Sequence, residues 1–261
     1  MSKNIAEFEN ITRTFFSLLP FAHAIRKMPP MLSVIIPTLN AEQTLPRTLA
    51  ALIPAAVHGV VNEVIIVDGG STDKTAEIAE ATGAKFMKAE RGRGPQLQAG
   101  AKRAKGEWLL FLHADTVLET GWDAEIEKFL KHVADGRFRS SEVAAAFRFK
   151  LDDFSGSARF LERIVALRCA LFKLPYGDQG LLVNKTLYTR LGGFKPLPLM
   201  EDVDLVRRIG RRRLFMLSSA AVTSPERYLH RGYMARIARN ALCLSLYYVG
   251  VPTSFIARIY A

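Results

Sequence analysis

The chain has 261 residues, long enough for one large α/β domain or one domain with an appendage. Its 49% hydrophobic content excludes a disordered chain, and a formal charge of +11 favours phosphate-bearing partners, whether nucleotides, nucleic acids or an anionic membrane surface. Its two cysteines, Cys169 and Cys243, sit in apolar helix-like stretches and read as small core residues of a reducing compartment, which argues against a disulfide framework.

Near the N-terminus, Phe15 to Ala24 is apolar and ends Ala22-His23-Ala24, like a signal-peptidase site. The residues before it mix Lys3 and Arg13 with Glu7 and Glu9, whereas an export signal starts clearly positive. Residues 1–30 therefore read as an extension, either a short helix or the product of an upstream start codon before a domain that opens at Met28 or Met31.

Leu32 to Pro37 is a β-branched run stopped by proline, a first buried strand. A loop over Thr38 to Asn40 leads to a helical pattern from Glu42 to Ala56. A second buried strand from Val64 ends in Asp68, followed by Gly69-Gly70 and a helix from Thr72 to Ala81, with Ser71, Thr72 or Asp73 as cap and Gly83 as stop. Residues 84–88 read as a short strand, Arg91-Gly92-Arg93-Gly94-Pro95 as a basic glycine-rich loop, and Gln96 to Ala104 as helix. Trp108 to His113 is the next central strand, and Asp115 follows it. This β–α–β alternation predicts a mostly parallel sheet flanked by helices.

Beyond Asp115 the pattern loosens. A strand is expected over Val143 to Leu151, a helix over Ser157 to Lys173, and a turn at Pro175 to Gly180. Leu181 to Asn184 reads as strand; Leu187 to Leu191 and Glu201 to Ile209 read as helices. Ala241 to Ala257 carries no charge, but Gly250 and Pro252 interrupt it, and it is marginal for the roughly 20 residues of a spanning helix. Two short packed helices, or an interfacial segment bracketed by Arg236, Arg239 and Arg258, are the alternatives.

Ligands of open α/β sheets bind outside the carboxyl ends of the strands, so Asp68 and Asp115 are expected to face one crevice. The glycines after Asp68 allow a planar base to approach the backbone, and its carboxylate can accept a hydrogen bond from a pyrimidine N–H. Asp115 beside a diphosphate suits Mg²⁺ or Mn²⁺, which prefer carboxylate oxygens with substrate phosphates; His113, two residues earlier, would point the same way along a strand. Glu201-Asp202 opens a helix, and adjacent helical residues point apart, so one of the two is expected to aim into the crevice.

The ordered motifs Val34–Asn40, Val67–Asp73, Phe111–Asp115, Leu191–Phe194 and Glu201–Leu205 closely resemble family 2 glycosyltransferases of the GT-A fold over about residues 31–215. The resemblance is closest to a bacterial subgroup of small, soluble-looking members whose acceptors are unassigned; Gly177–Gly180 and Pro198–Asp202 share its pattern. It implies a single GT-A domain over 31–225 with a C-terminal helical extension over 226–261, and inverting transfer of a sugar from a nucleotide-diphosphate sugar. By the same resemblance Pro37, Thr38, Asn40, Asp68, Gly69, Arg93 and Asp115 would bind the nucleotide-sugar, typically a UDP-sugar. Asp115 with His113 would hold a divalent metal (Mg or Mn), Asp202 would be the catalytic base, and Asp178, Gln179 and Glu201 would lie on the acceptor side.

His113-Ala114-Asp115 lacks the first Asp of the family's DXD motif, and the Gln-x-x-Arg-Trp motif of processive synthases is missing, since the tryptophans are Trp108 and Trp122. A single transfer to a small or lipid acceptor is therefore expected, in the cytoplasm, with the inner membrane face as a partner surface. The arginines Arg207, Arg208, Arg211, Arg212 and Arg213 read either as a solvated face or as contacts to the leaving diphosphate. No recognition motif for a specific nucleic acid accompanies the charge. The rivals are a sugar-phosphate nucleotidyltransferase, whose glycine-rich loop is absent from Pro37–Asn40, and a non-catalytic nucleotide-sugar-binding module.

Overall fold

The computed structural model describes residues 32–225 and 232–260. The expected N-terminal extension, and the first residues of the C-terminal one, lie outside the described residues.

One eight-stranded sheet runs through the molecule. Its strands are β1 (Leu32–Thr38), β2 (Val61–Asp68), β3 (Lys85–Lys88), β4 (Trp108–Phe111), β5 (Thr116–Leu118), β6 (Ala144–Leu151), β7 (Leu181–Asn184) and β8 (Leu214–Thr223), in the order β3-β2-β1-β4-β7-β6-β8-β5. The block β3-β2-β1-β4 is parallel, as expected of the β–α–β alternation, and β6 pairs parallel with β8. β7 and β5 run antiparallel to their neighbours. Every residue of β1 is buried, because helices cover both faces of the strand; this is why Val34 to Ile36 read as consecutive apolar residues and not as an alternation, while buried Ser33 donates to Glu63 Oε1 at 2.6 Å.

The helices are α1 (Leu45–Ala50), α2 (Ile53–Val57), α3 (Thr75–Ala81), α4 (Arg93–Arg103), α5 (Trp122–Ala134), α6 (Gly156–Phe172), α7 (Lys185–Arg190), α8 (Glu201–Ile209), α9 (Tyr233–Tyr248) and α10 (Thr253–Tyr260). The single helix expected from Glu42 to Ala56 is two, each with a proline in its first turn, since proline removes an internal hydrogen bond and starts a new segment. The helix expected from Thr72 begins at Thr75, because Asp73 Oδ1 accepts hydrogen bonds from the Thr75 amide (3.0 Å) and its hydroxyl (2.5 Å) and holds the chain in a turn. Helix α4 starts at Arg93, three residues earlier than its pattern suggests. Its Gly100 lies against the sheet, where a Cβ would meet Ile35 Cγ2 at 2.5 Å.

Three elements went unread in the sequence. Helix α5 buries Trp122, Ile126, Phe129, Leu130 and Val133, an i, i+4, i+7 spacing. Strand β5 has only three residues, too short for a period to show, and β8 is irregularly buried along its length. The C-terminal stretch is a helix pair broken at Gly250 and Pro252. Cys243 and Ile256, both fully buried, join the core cluster that contains Leu205, Val206 and Ile209. Both cysteines are free and buried. Among the described residues no helix is long and apolar enough to cross a membrane.

Candidate active site

The chain leaves β1 toward β2 on one side and later returns to place β4 on the other, so the carboxyl ends of β1 and β4 form a switch-point crevice. A cavity of about 430 Å³ opens there, lined by Pro37 to Ala41, Arg91 to Arg93, Gln96 and His113 to Asp115. That volume falls within the range of small-molecule sites. A second cavity of about 90 Å³ adjoins it and shares Arg93, His113, Asp115 and Ser224 as walls. Its far side holds Tyr176 to Asp178, Glu201, Asp202, Arg236, Asn240 and Tyr260.

The sequence-predicted residues divide between these cavities and the scaffold around them. Pro37, Thr38 and Asn40 line the larger cavity. Asn40 adopts φ 51°, a conformation asparagine tolerates, and its Oδ1 accepts from the Thr72 amide at 2.9 Å. Asp68 is 2% exposed, and neither it nor Gly69 lines these two cavities. Its Oδ1 accepts from the Thr38 hydroxyl (3.0 Å) and the Ser71 hydroxyl (2.5 Å), and its Oδ2 from the Gly70 (2.9 Å) and Ser71 (2.8 Å) amides. Burial acts to raise the Asp68 pKa, but the bonds from Ser71, Gly70 and Thr38 outweigh it and the net shift is downward. The shared crevice expected for Asp68 and Asp115 is thus lined by Asp115 alone of the two. Asp68 acts one layer back, tying the β1 and β2 loops together.

Gln96, which the sequence reading passed over, completes that tie. Its Nε2 donates to the Thr38 carbonyl (2.8 Å) and the Val67 carbonyl (2.7 Å), and its Oε1 accepts from the Gly92 amide (3.3 Å). A buried amide on the first turn of α4 therefore joins two strand ends to the basic loop.

Arg93 borders both cavities. It is exposed to them by area, yet dense neighbouring protein surrounds its guanidinium. This crowding alone would lower its pKa; Glu201, Asp202, Tyr260 and Asp115 outweigh it and raise the pKa. His113 Nδ1 and Asp115 Oδ1 are 4.0 Å apart on the shared wall. They follow the end of β4 and sit in its turn, so the loop and not strand alternation brings them together.

Helix α8 delivers the two downstream acids. Met200, just before it, is held in the left-handed region at φ 65°, a strained conformation for a buried non-glycine residue. Both Glu201 and Asp202 line the smaller cavity, correcting the expectation that one would: Glu201, 4% exposed, forms its inner wall, and Asp202 is half-buried. Asp202 Oδ2 accepts from the Gly177 amide at 2.6 Å and Oδ1 from the Val203 amide at 2.7 Å. Burial, then the Asp202 charge, push the Glu201 carboxyl up to about 7 against the pull of Arg93. Asp178 also faces the cavity, and its Oδ1 has no hydrogen-bond partner among the described residues. Burial is the main reason its carboxyl rises to about 6, with Asp202 and Asp115 adding to the shift and Arg168 and Arg93 opposing it.

Gln179 lies outside these two cavities. It is 1% exposed; its Nε2 donates to the Phe147 carbonyl (2.9 Å) and its Oε1 accepts from Arg168 Nη2 (3.1 Å). Arg168 also stacks on the Tyr176 ring at 3.5 Å, so α6 shapes the turn that presents Gly177 and Asp178. The Gly192-Gly193-Phe194 motif is scaffold too: Phe194 packs edge-on against Phe111 at 4.9 Å. Arg208 fastens that loop, donating to the Gly193 carbonyl (2.7 Å) and to Asp204 Oδ2 (2.8 Å). None of the arginines from Arg207 to Arg213 lines either cavity. Arg236, by contrast, turns inward and donates to the Tyr260 hydroxyl at 3.0 Å, while Arg239 lies over the Tyr260 ring at 4.9 Å. The i, i+4 pair Arg236 and Asn240 is the legible sign of this face.

The family model described as Glycosyl transferase family 2 matches residues 33–170. A PGL/p-HBAD biosynthesis glycosyltransferase of Mycobacterium bovis is 29% identical over 180 residues, 63% of each chain, so this chain spans under two thirds of that relative's length. Glucosyl-3-phosphoglycerate synthase of Mycobacterium tuberculosis is 32% identical over 95 residues, 33% of this chain and 29% of the other. The crystal structure of that synthase with Mn²⁺, UDP and phosphoglyceric acid superposes with a TM-score of 0.55 at 21% identity, covering 91% of this chain and 83% of the other. S. aureus TarS with UDP-GlcNAc gives a TM-score of 0.57 at 21% identity, covering 74% and 58%. These likenesses show the GT-A fold, and with the matched family model they place the chain: it belongs to glycosyl transferase family 2.

Proposed function

We propose that this chain is an inverting, non-processive glycosyltransferase that moves a sugar from a nucleotide-diphosphate sugar, a UDP-sugar foremost, to a hydroxyl of a small or lipid acceptor. The observation that carries the reading is the pair of adjoining cavities: Asp115 stands on their common wall and Asp202 on the far side of the smaller one. The larger cavity takes the nucleotide-sugar against Pro37, Thr38, Asn40 and Arg93, and the smaller takes the acceptor beside Asp178, Glu201 and Asp202. The solved relatives bound to UDP or UDP-GlcNAc support this donor class.

In the reaction, Asp202 accepts the proton of the acceptor hydroxyl as that oxygen attacks the anomeric carbon. The Gly177 amide fixes the carboxylate that does so, in the first turn of α8. Asp68 and Gln96 hold the donor loops in place beside the nucleotide. Among the described residues no three His, Cys, Asp or Glu side chains cluster as metal ligands. Asp115 and His113 nevertheless fit a divalent ion: a carboxylate oxygen and a ring nitrogen share one cavity wall, and substrate phosphates complete such sites. When bound, Mg²⁺ or Mn²⁺ would balance charge on the departing diphosphate. Residues 31–225 form the transferase domain in this reading, and the helices after it roof the acceptor cavity. The chain works in the cytoplasm, at the inner membrane face when its acceptor is a lipid.

The test is UDP release from a panel of UDP-sugars, with the anomeric configuration of the product read by NMR. Release that depends on Asp202 and gives inverted product supports the reading; retained configuration or nucleotide exchange onto a sugar phosphate sinks it.

A further inference from the structure

Helix α6 is apolar on two opposite faces. Ala158, Leu161, Val165 and Cys169 bury one of them in a cluster with Phe149 and Leu151 of β6. Phe160, Leu167 and Leu171 recur at i, i+7 and i+11 on the other, and are 50%, 59% and 53% exposed. Arg159, Glu162, Arg163 and Arg168 lie between these faces, so the outer stripe is an apolar strip bordered by charge, of the kind that marks an interaction surface. Phe172, the last residue of the helix, is exposed too, though its position lies off this stripe.

The stripe does not stand alone. At its C-terminal end the Leu171 carbonyl accepts a hydrogen bond from Arg211 Nη2. Arg207, in the last turn of α8, lies over the ring of Tyr248, 4.7 Å from its centroid, where α9 ends at exposed Tyr248 and is followed by exposed Val249. The ends of α6 and α9 therefore meet one arginine cluster, and Arg207, Arg211 and Arg212 are exposed there. No Asp or Glu occurs from residue 227 to residue 261. Helix α9 also spans two environments: Arg236 and Asn240 line the acceptor cavity, while Met234 and Leu242 are exposed.

We propose that this face, the outer stripe of α6 with the end of α9 and its arginine rim, docks on an anionic lipid bilayer. Apolar side chains bordered by arginine match the acyl and phosphate layers of such a surface, in the manner of interfacial helices. A second copy is the poorer occupant, since a two-fold contact would set the arginine rim against itself. The electrostatic part comes from Arg207 and Arg211; Arg236 and Arg239, which the sequence had suggested for it, stack with Tyr260. The proposal deepens the lipid-acceptor branch of the proposed function, because the docking helix α9 also walls the acceptor cavity.

The full-length protein is tested by flotation with vesicles of phosphatidylcholine alone or mixed with phosphatidylglycerol, at low and high salt. It should float with the anionic vesicles and be released as salt rises. Leu167→Glu with Leu171→Glu, both at exposed positions, should abolish flotation without changing the melting temperature or the mass by light scattering. Arg207→Gln and Arg211→Gln should each weaken anionic binding about fivefold. Wild-type protein that stays at the bottom of the gradient, or a double-glutamate variant that floats as well as wild type, overturns the proposal. So does conversion of a dimer to a monomer by that variant, which assigns the face to a second copy. UDP affinity by calorimetry keeps the two readings apart: loss of flotation with UDP binding intact concerns this surface alone, and flotation without UDP binding counts against the donor site alone.

Discussion

The Gly177 amide donates to Asp202 Oδ2 across 25 residues of sequence, joining the turn after α6 to the first turn of α8 at 2.6 Å. The approach is close enough that a Cβ at Gly177 would stand 2.8 Å from His113 Nε2 and 3.3 Å from Asp202 Oδ2. Gly177→Ala should therefore push both side chains aside. Displacing a reacting group by about 1 Å costs roughly 10²-fold in rate, so transfer should fall on that order while UDP affinity falls far less. Near wild-type turnover in this variant would show that the contact does not position the base.

Asp202→Asn preserves shape and removes basicity. Transfer should fall by roughly 10²–10⁴-fold, with UDP binding by calorimetry intact. Glu201→Gln is the control, because Glu201 lines the same cavity. An inactive Glu201→Gln beside an active Asp202→Asn would move the base to the neighbouring residue.

Glu201 sets a pH dependence of stability. Its folded pKa, about 7 through burial and then the Asp202 charge, lies above the ordinary 4.5. The stability it contributes is thus complete below pH 4.5 and is lost as pH rises through 7. Glu201→Gln should melt higher than wild type at pH 8, by about 2–4 °C for each kcal/mol recovered, and the gap should close near pH 4.5. A gap that is independent of pH would contradict the assignment.

Asp115→Ala should abolish the Mn²⁺-dependent part of UDP affinity and leave metal-free binding largely unchanged. Titrations with and without Mn²⁺ decide this, and an unchanged Mn²⁺ dependence removes Asp115 from the metal site.

Gln96→Leu leaves the Thr38 and Val67 carbonyls without their side-chain donor in a buried setting. Such a loss costs about 1–3 kcal/mol, to be read by denaturant unfolding, and UDP affinity should weaken with it. Full stability in the variant would mean that water replaces the amide at no cost.

Much of the first half of the molecule was legible because its signals are local. Strands β1, β2 and β4 each carry a run of consecutive apolar residues, Val34–Ile36, Val64–Val67 and Trp108–Phe111, since helices cover both their faces, and the turn residues after β2 announced themselves by type. Helix α8 and the break at Gly250 and Pro252 followed from periodicity and from proline geometry. The order of the motifs was enough to indicate the family and the sheet that goes with it.

What the side chains of those motifs do was decided by contacts between distant segments. Asp68 bonds Gly70 and Ser71 nearby but also Thr38, and Gln179 bonds Phe147; those last two partners, 30 and 32 residues away, carry no local pattern. Arg208 holds a loop through the Gly193 carbonyl, and Arg236 turns inward to Tyr260, each through a partner well away in sequence. Periodicity shows which face of a helix is apolar. Which charged side chain finds a buried partner, and which stays at the surface, depends on the three-dimensional packing that brings α6, α8 and α9 together.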